Sequence, residues 1–282
     1  MNLINGDCLE KMKDISDNCI DLLFCDLPYC GITNSKKDSE VSCKWNTPVD
    51  LELFWREVNR ICKITTPMFF TCSTKFGVSL INSNPKCFRY DVVWIKSSPC
   101  GFLNAKKMPM KKHEMIYVFY RKLPLYDLSS HKHKLLKERK TIDYKNESLV
   151  YGKIDRPDHM RKNGESAYEP PLPTSVIKTE LYSNENKQEP RELYRNEGGQ
   201  YEPPLPNSVL EIKSEKSHHP TQKPITLIQW CLKYYSKEGD LILDPTMGSG
   251  STGVACKSMN RNFIGIEKDE EIFKTAVERL NL

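Results

Sequence analysis

The amino-acid sequence predicts a doubly wound α/β fold, a mixed sheet with helices, interrupted by a polar insertion. Three observations predict it. Short apolar runs alternate with segments of helical spacing at both ends of the chain. Near the C-terminus a strand runs into a glycine-rich turn, a helix, a second strand and an acid, which is the outline of a βαβ unit. Finally, 282 residues suit one large α/β domain, yet residues 122–215 are polar and lack periodic hydrophobicity.

Residues 1–121 and 216–282 therefore form the predicted α/β domain, and 122–215 the insertion. Cys19–Cys25 reads as a short buried strand running into a loop at Asp26-Leu27-Pro28-Tyr29. Leu51–Cys62 has apolar residues at helical spacing, and Met68–Cys72 is another buried strand. Tyr90–Ile95 and Met115–Tyr120 are aromatic and β-branched, and are expected as neighbouring strands joined by a basic segment. Pro224 opens a helix reaching Tyr235, since proline is tolerated in a first turn. Leu241–Leu243 and Phe263–Ile266 are strands, the second ending at Glu267. Within the insertion, Tyr168–Ile177 recurs as Tyr201–Leu210, a local duplication of a Pro-rich segment.

Composition removes several classes. No apolar stretch approaches the ~20 residues of a membrane helix. The first residues show neither the basic nor the apolar region of a secretory signal, so a cytoplasmic protein is expected. Eleven cysteines are scattered without a Cys-x-x-Cys, which reads as reduced thiols rather than disulfides or zinc. His131, His133, His159 and His218 lack partners at ligand spacing, and no metal is expected. A net charge of +5 is too mild to point to nucleic acid, but basic residues crowd between Lys96 and Lys140. That run is either a solvated face or a phosphate-facing stripe.

Asp244-Pro245-Thr246-Met247-Gly248-Ser249-Gly250 lies where glycines let a ligand approach the backbone, and no lysine follows to make it a P-loop. Glu267, one strand later, places a carboxylate where it accepts hydrogen bonds from ribose hydroxyls. Together they indicate an adenosyl-type cofactor. In Asp26-Leu27-Pro28-Tyr29 the Asp26 carboxylate and Leu27 carbonyl suit the two hydrogens of an amine on a planar base, with the Tyr29 ring stacked on it.

That tetrapeptide resembles the Asp-Pro-Pro-Tyr signature of amino-group DNA methyltransferases, with Leu27 in place of the first proline. Asp244–Gly253 resembles their S-adenosylmethionine loop, and His219-Pro220-Thr221-Gln222-Lys223-Pro224 the segment preceding it in the β group. The order, catalytic motif before cofactor loop, is that group's. Gly6-Asp7-Cys8-Leu9, Asn104–Pro109 and His113–Ile116 extend the resemblance to about two thirds of the chain. It implies a Rossmann-like methyltransferase fold with catalytic residues Asp26, Leu27, Pro28 and Tyr29. It also implies cofactor contacts from Asp7, Thr221, Lys223, Asp244, Thr246, Gly248, Ser249, Gly250 and Glu267.

The expected reaction is methylation of adenine N6 in double-stranded DNA, the insertion choosing the target and Lys106, Lys107, Lys111 and Lys112 facing phosphates. Asp at position 26 looks like the adenine type, the cytosine N4 enzymes usually carrying Ser. Cytosine N4, RNA and protein glutamine remain alternatives, as does an inactive DNA-binding regulator. Pro99-Cys100 imitates the nucleophile of cytosine C5 enzymes, but lies far from any preceding cofactor loop. A monomer and a homodimer are equally open, as are a solitary enzyme and a restriction pair.

Overall fold

The central strands Leu22–Cys25 and Met68–Cys72 are short and buried throughout, and the sheet is completed from both ends of the chain. The computed structural model describes residues 1–28, 49–130 and 223–281, together with the backbone of short strands at 132–133, 147–148, 152–153, 168–169 and 176–178. Tyr29, Thr221, the second repeat copy at 201–210 and most of the basic run beyond 130 lie outside the described residues.

The first strands are β1 (Asn2–Asn5), β2 (Leu22–Cys25), β3 (Met68–Cys72), β4 (Phe88–Cys100) and β5 (Lys111–Phe119). After β6 (Lys132–His133), β7 (Glu147–Ser148), β8 (Gly152–Lys153) and β9 (Tyr168–Glu169) come β10 (Val176–Lys178), β11 (Leu241–Asp244) and β12 (Asn262–Glu267). Eight of them form one sheet in the order β1-β12-β11-β2-β3-β5-β4-β10. All neighbours are parallel except that β5 runs antiparallel to both β3 and β4. The sheet is therefore mixed and doubly wound, as expected.

From β2 the chain moves one way, to β3; from β11 it moves the other way, to β12. The strand order thus reverses between β2 and β11, and a crevice opens there beyond the strands' C-terminal ends. Both candidate loops, after Cys25 and after Asp244, leave the sheet at that crevice.

The helices are α1 (Cys8–Lys11), α2 (Leu51–Ile61), α3 (Thr74–Ser83), α4 (Ile225–Tyr235), α5 (Ser251–Ser258) and α6 (Glu270–Leu280). Asp50 caps α2 by accepting from the Glu52 and Leu53 amides, and Asp269 caps α6 by accepting from those of Glu271 and Ile272. Phe54, Trp55, Val58 and Ile61 of α2 are buried with Leu23, Cys25, Met68 and Phe70 of the sheet. The alternate strand residues face the opposite way, where Phe69 meets the Tyr235 ring of α4 edge-on at 5.1 Å. Helices thus cover both faces.

β1 and α3 go beyond the strands and helices legible in the sequence. Asn-Leu-Ile-Asn is too short to show a period, and is a strand because β12 hydrogen-bonds alongside it. The chain divides into two compact units, one of Met1–Leu125 with Ser175–Leu282 and one of Tyr126–Thr174. In the second, β6 pairs with β9 and β7 with β8. Val176-Ile177, at the end of the first repeat copy, belongs to β10 and extends the main sheet along β4.

Candidate active site

Asp26 follows the last residue of β2, and the register places it beside Thr71, because Cys25 pairs with Phe70. The Thr71 hydroxyl donates to Asp26 Oδ1 at 2.8 Å, and Lys223 Nζ donates to Oδ2 at 2.6 Å. Lys223 stands two residues before α4, whose packing on this face of the sheet delivers the ammonium. Glu114 Oε1 lies 3.4 Å from the same ammonium, and Glu114 Oε2 lies 3.0 Å from Lys96 Nζ. The result is a chain of alternating charge, Asp26–Lys223–Glu114–Lys96, across β2, β5 and β4.

Burial raises the Asp26 carboxyl above its ordinary range, and Lys223 and the Thr71 hydroxyl oppose that rise. Glu114 is buried too, but between two lysines its carboxyl falls below the usual value. Asp26 is thereby held as a hydrogen-bond acceptor in a partly dry site.

Leu27, the departure from the proline pattern, is 2% exposed and packs in the core. Its buried side chain anchors the turn that a proline ring would stiffen, while leaving the carbonyl available. Thr246, from the glycine-rich loop, donates its hydroxyl to the Asp26 carbonyl at 3.1 Å. Cys25 Sγ is 3.3 Å from the Thr246 hydroxyl oxygen, so the thiol donates there, in keeping with a pKa pushed well up by burial. Thr246 therefore ties the two loops together across the crevice.

The glycine-rich loop is built around Asp244, which is buried. Its carboxylate accepts from the Thr252 hydroxyl and the Thr246 amide. Burial lifts its pKa from 3.8 to about 7 against those two donors. Asp244 shapes the loop from within. Ser249 accepts from the Arg279 guanidinium through both carbonyl and hydroxyl, and Gly250 starts α5 in a left-handed conformation.

Gly248 has φ +54 and nothing within 4 Å of where a Cβ would stand, so its backbone borders open space. Its amide donates to Glu267 Oε2 at 3.0 Å, and Glu267 Oε1 accepts from the Asp269 amide at 2.8 Å. Each oxygen keeps acceptor capacity, enough for the two hydroxyls of a ribose. Asp7, at the end of β1, caps α1 and pairs with Lys268 at 3.0 Å. Strands β1, β12 and β11 are adjacent, so Asp7, Glu267 and the Gly248 backbone share one edge of the sheet. These residues fit an adenosyl cofactor: carboxylates for a diol, and a backbone without side chains beside open space.

Gly265 explains why the loop lies so close. A Cβ there would stand 2.3 Å from Met247 Sδ and 2.6 Å from the Phe263 ring. Gly265→Ala is expected to cost about 1–3 kcal/mol and to weaken cofactor binding, checked by thermal melts and S-adenosylmethionine titration.

Sequence reasoning missed the roles of Thr71, Glu114, Lys96 and Arg279. A signal existed for one of them: Thr71 is a polar residue within an apolar strand run, and such a group needs a buried partner. Lys223, expected among the cofactor contacts, sits on Asp26. Among the lysines expected at phosphates, Lys106 and Lys107 are exposed and Lys111 is partly so, whereas Lys112 is 7% exposed. Cys100 is exposed on the hairpin between β4 and β5, where Lys96 donates to its sulfur at 3.8 Å.

The N6/N4 DNA methylase family matches residues 20–278. The chain belongs to that family. As an N6/N4 DNA methylase it is an S-adenosylmethionine-dependent DNA methyltransferase. It is 26% identical to the type II methyltransferase M.HinfI of Haemophilus influenzae over 297 residues, covering 99% of this chain and 67% of that relative. A shorter stretch of 62 residues is 52% identical to the type II methyltransferase M2.DpnII of Streptococcus pneumoniae, covering 22% of this chain and 23% of the relative. Among solved structures, the M1.HpyAVI–SAM complex is similar with a TM-score of 0.54 at 19% identity, covering 99% of both chains. The cytosine-N4-specific PvuII DNA methyltransferase is similar with a TM-score of 0.57 at 15% identity, covering 98% of this chain and 85% of that one. At such identities the likeness is one of fold, and it does not choose between the amines of adenine and cytosine.

Proposed function

We propose that this DNA methylase modifies the exocyclic N6 of adenine, at specific sites in double-stranded DNA, with the target base turned out of the helix. The observation that carries this reading is the Asp26 carboxylate at the crevice, held between Thr71 and Lys223. An amine on a base placed there donates one hydrogen to Asp26 and the other to the Leu27 carbonyl. Two acceptors aligned on one amine turn its lone pair out of the ring π-system. S-adenosylmethionine supplies a methyl group on a positively charged sulfur. Glu267, Asp7 and the Gly248 backbone hold that cofactor on the neighbouring strands, and Thr246 keeps the two loops in register. Fixing both partners converts a collision into a positioned encounter, a large share of the rate enhancement. Once methylated, the nitrogen carries a surplus proton, and Asp26 is the carboxylate placed to take it. Tyr29 and Thr221 are proposed to complete the site by stacking and closure.

Asp rather than Ser at position 26 supports adenine over cytosine N4. The 122–215 insertion is proposed to choose the sequence, and a bacterial or phage cytoplasm is the proposed setting. Among the described residues no helix is long and apolar enough to cross a membrane. Sedimentation of the protein alone separates a monomer from a homodimer. The deciding experiment incubates the protein with S-adenosylmethionine and unmethylated DNA, then identifies the nucleosides by mass spectrometry. N6-methyladenine that vanishes in Asp26→Ala supports the reading, and sequencing of the product gives the site. N4-methylcytosine in its place overturns the base assignment.

A further inference from the structure

The hairpin joining β4 to β5 grows directly out of the site. Its roots are paired, Trp94 with Glu114 and Ile95 with His113, and Lys96 and Glu114 belong to the charged chain that ends on Asp26. From Glu114 the strands continue to the Cys100–Lys111 pair, three residues and roughly 10 Å outward. Beyond it the tip is not a loose loop. Gly101 turns at φ +90, a single 3-10 turn spans Phe102–Asn104, and the Lys107 and Met108 amides both donate to the Asn104 carbonyl.

This ordered tip presents large apolar side chains to water: Phe102 is 75% exposed, Leu103 83% and Met108 60%. Between Gly101 and Lys112 the chain carries Lys106, Lys107, Lys111 and Lys112 and no acidic residue. An apolar tip with a uniformly basic surround matches a polyanion with an apolar interior. Duplex DNA has that chemistry, phosphates outside and stacked bases within. A second copy of the chain is disfavoured, since apposed tips would bring lysines against lysines.

We propose that Phe102 and Leu103 enter the base stack beside the target nucleotide and occupy the gap left by the flipped adenine, while Lys106 and Lys107 hold the flanking phosphates. This rests on the DNA-adenine reading above. The tip then stabilises the flipped state, with no part in the methyl transfer itself.

The test compares two duplexes carrying the mapped site, one fully paired and one with an abasic position opposite the target adenine. Phe102→Ala/Leu103→Ala is expected to lose roughly tenfold in kcat/KM on the paired duplex and to match the parent on the abasic one, where unpairing is already accomplished. With 2-aminopurine at the target position, the same variant should show less fluorescence gain at saturating protein. Lys106→Ala/Lys107→Ala should weaken both duplexes alike and reduce the salt slope of binding by about 2. Both pairs are solvent-exposed, and unchanged melting and S-adenosylmethionine binding verify that the variants fold. An equal loss on both duplexes, or no loss, overturns the proposal while leaving the methylase reading intact. So does a parent dimer that Phe102→Ala/Leu103→Ala dissociates. A parent protein inactive on both duplexes removes the DNA-adenine reading, and this proposal with it.

Discussion

Asp26→Asn is expected to lower methyl transfer by roughly 10²–10³-fold while leaving the affinity for S-adenosylmethionine nearly unchanged. The carboxylate faces the crevice, and the carboxylates proposed for the cofactor, Asp7 and Glu267, lie just after β1 and at the end of β12, strands separated from β2 by β11. An amide in its place keeps the shape and the contact with the Thr71 hydroxyl. It loses the negative charge, and it offers N–H groups where two donors, Lys223 and the target amine, need acceptors. Single-turnover kinetics with mapped duplex, alongside equilibrium titration of the cofactor, checks the split. A variant that loses cofactor binding in proportion to rate would mean that Asp26 supports the pocket rather than the reaction.

Lys223→Met should move the acid limb of the pH–rate profile to higher pH. Burial already raises the Asp26 carboxyl, and Lys223 is the leading opposing influence. Without the ammonium the carboxyl rises further. The form that accepts from the amine is the anion, so activity is lost as pH falls through the raised pKa. The defect should be on the order of tenfold below neutrality and shrink in alkaline buffer. Stability runs the opposite way: a carboxyl raised in the folded protein contributes below its unfolded value and loses that contribution as pH rises through the folded one. Glu114 also loses the Lys223 ammonium but keeps Lys96 at 3.0 Å. A pH-independent loss of activity would instead assign Lys223 to packing.

Much of the architecture was legible because it rests on local signals. Met68–Cys72 reads as a buried strand from its own apolar run, and it is β3 residue for residue. Leu51–Cys62 reads as a helix because its apolar residues recur at helical spacing, and α2 spans Leu51–Ile61. The expectation that Tyr90–Ile95 and Met115–Tyr120 are neighbouring strands joined by the basic segment is met by the β4–β5 hairpin, though both strands begin or end further out. Their extension past Ile95 and before Met115 is polar, and no periodicity announced it. The motif residues were equally legible, because a glycine turn and a short Asp-x-Pro-Tyr loop are contiguous and carry their chemistry in residue type.

The partnerships were not. Thr71, Glu114, Lys96 and Lys223 stand up to 152 positions apart, and only strand register and the docking of α4 bring them to Asp26. The same holds for Asp244, read as a cofactor residue from its place in the loop yet buried as that loop's internal anchor. The amino-acid sequence by itself determined the class of fold, the two loops and the kind of reaction, because each is encoded in short contiguous patterns with a local physical cause. Tertiary structure alone decided which charges meet, which carboxyl is raised and which lowered, and that an apolar hairpin tip grows out of the site. Those depend on long-range packing and on desolvation, which arise only when distant segments share one buried space.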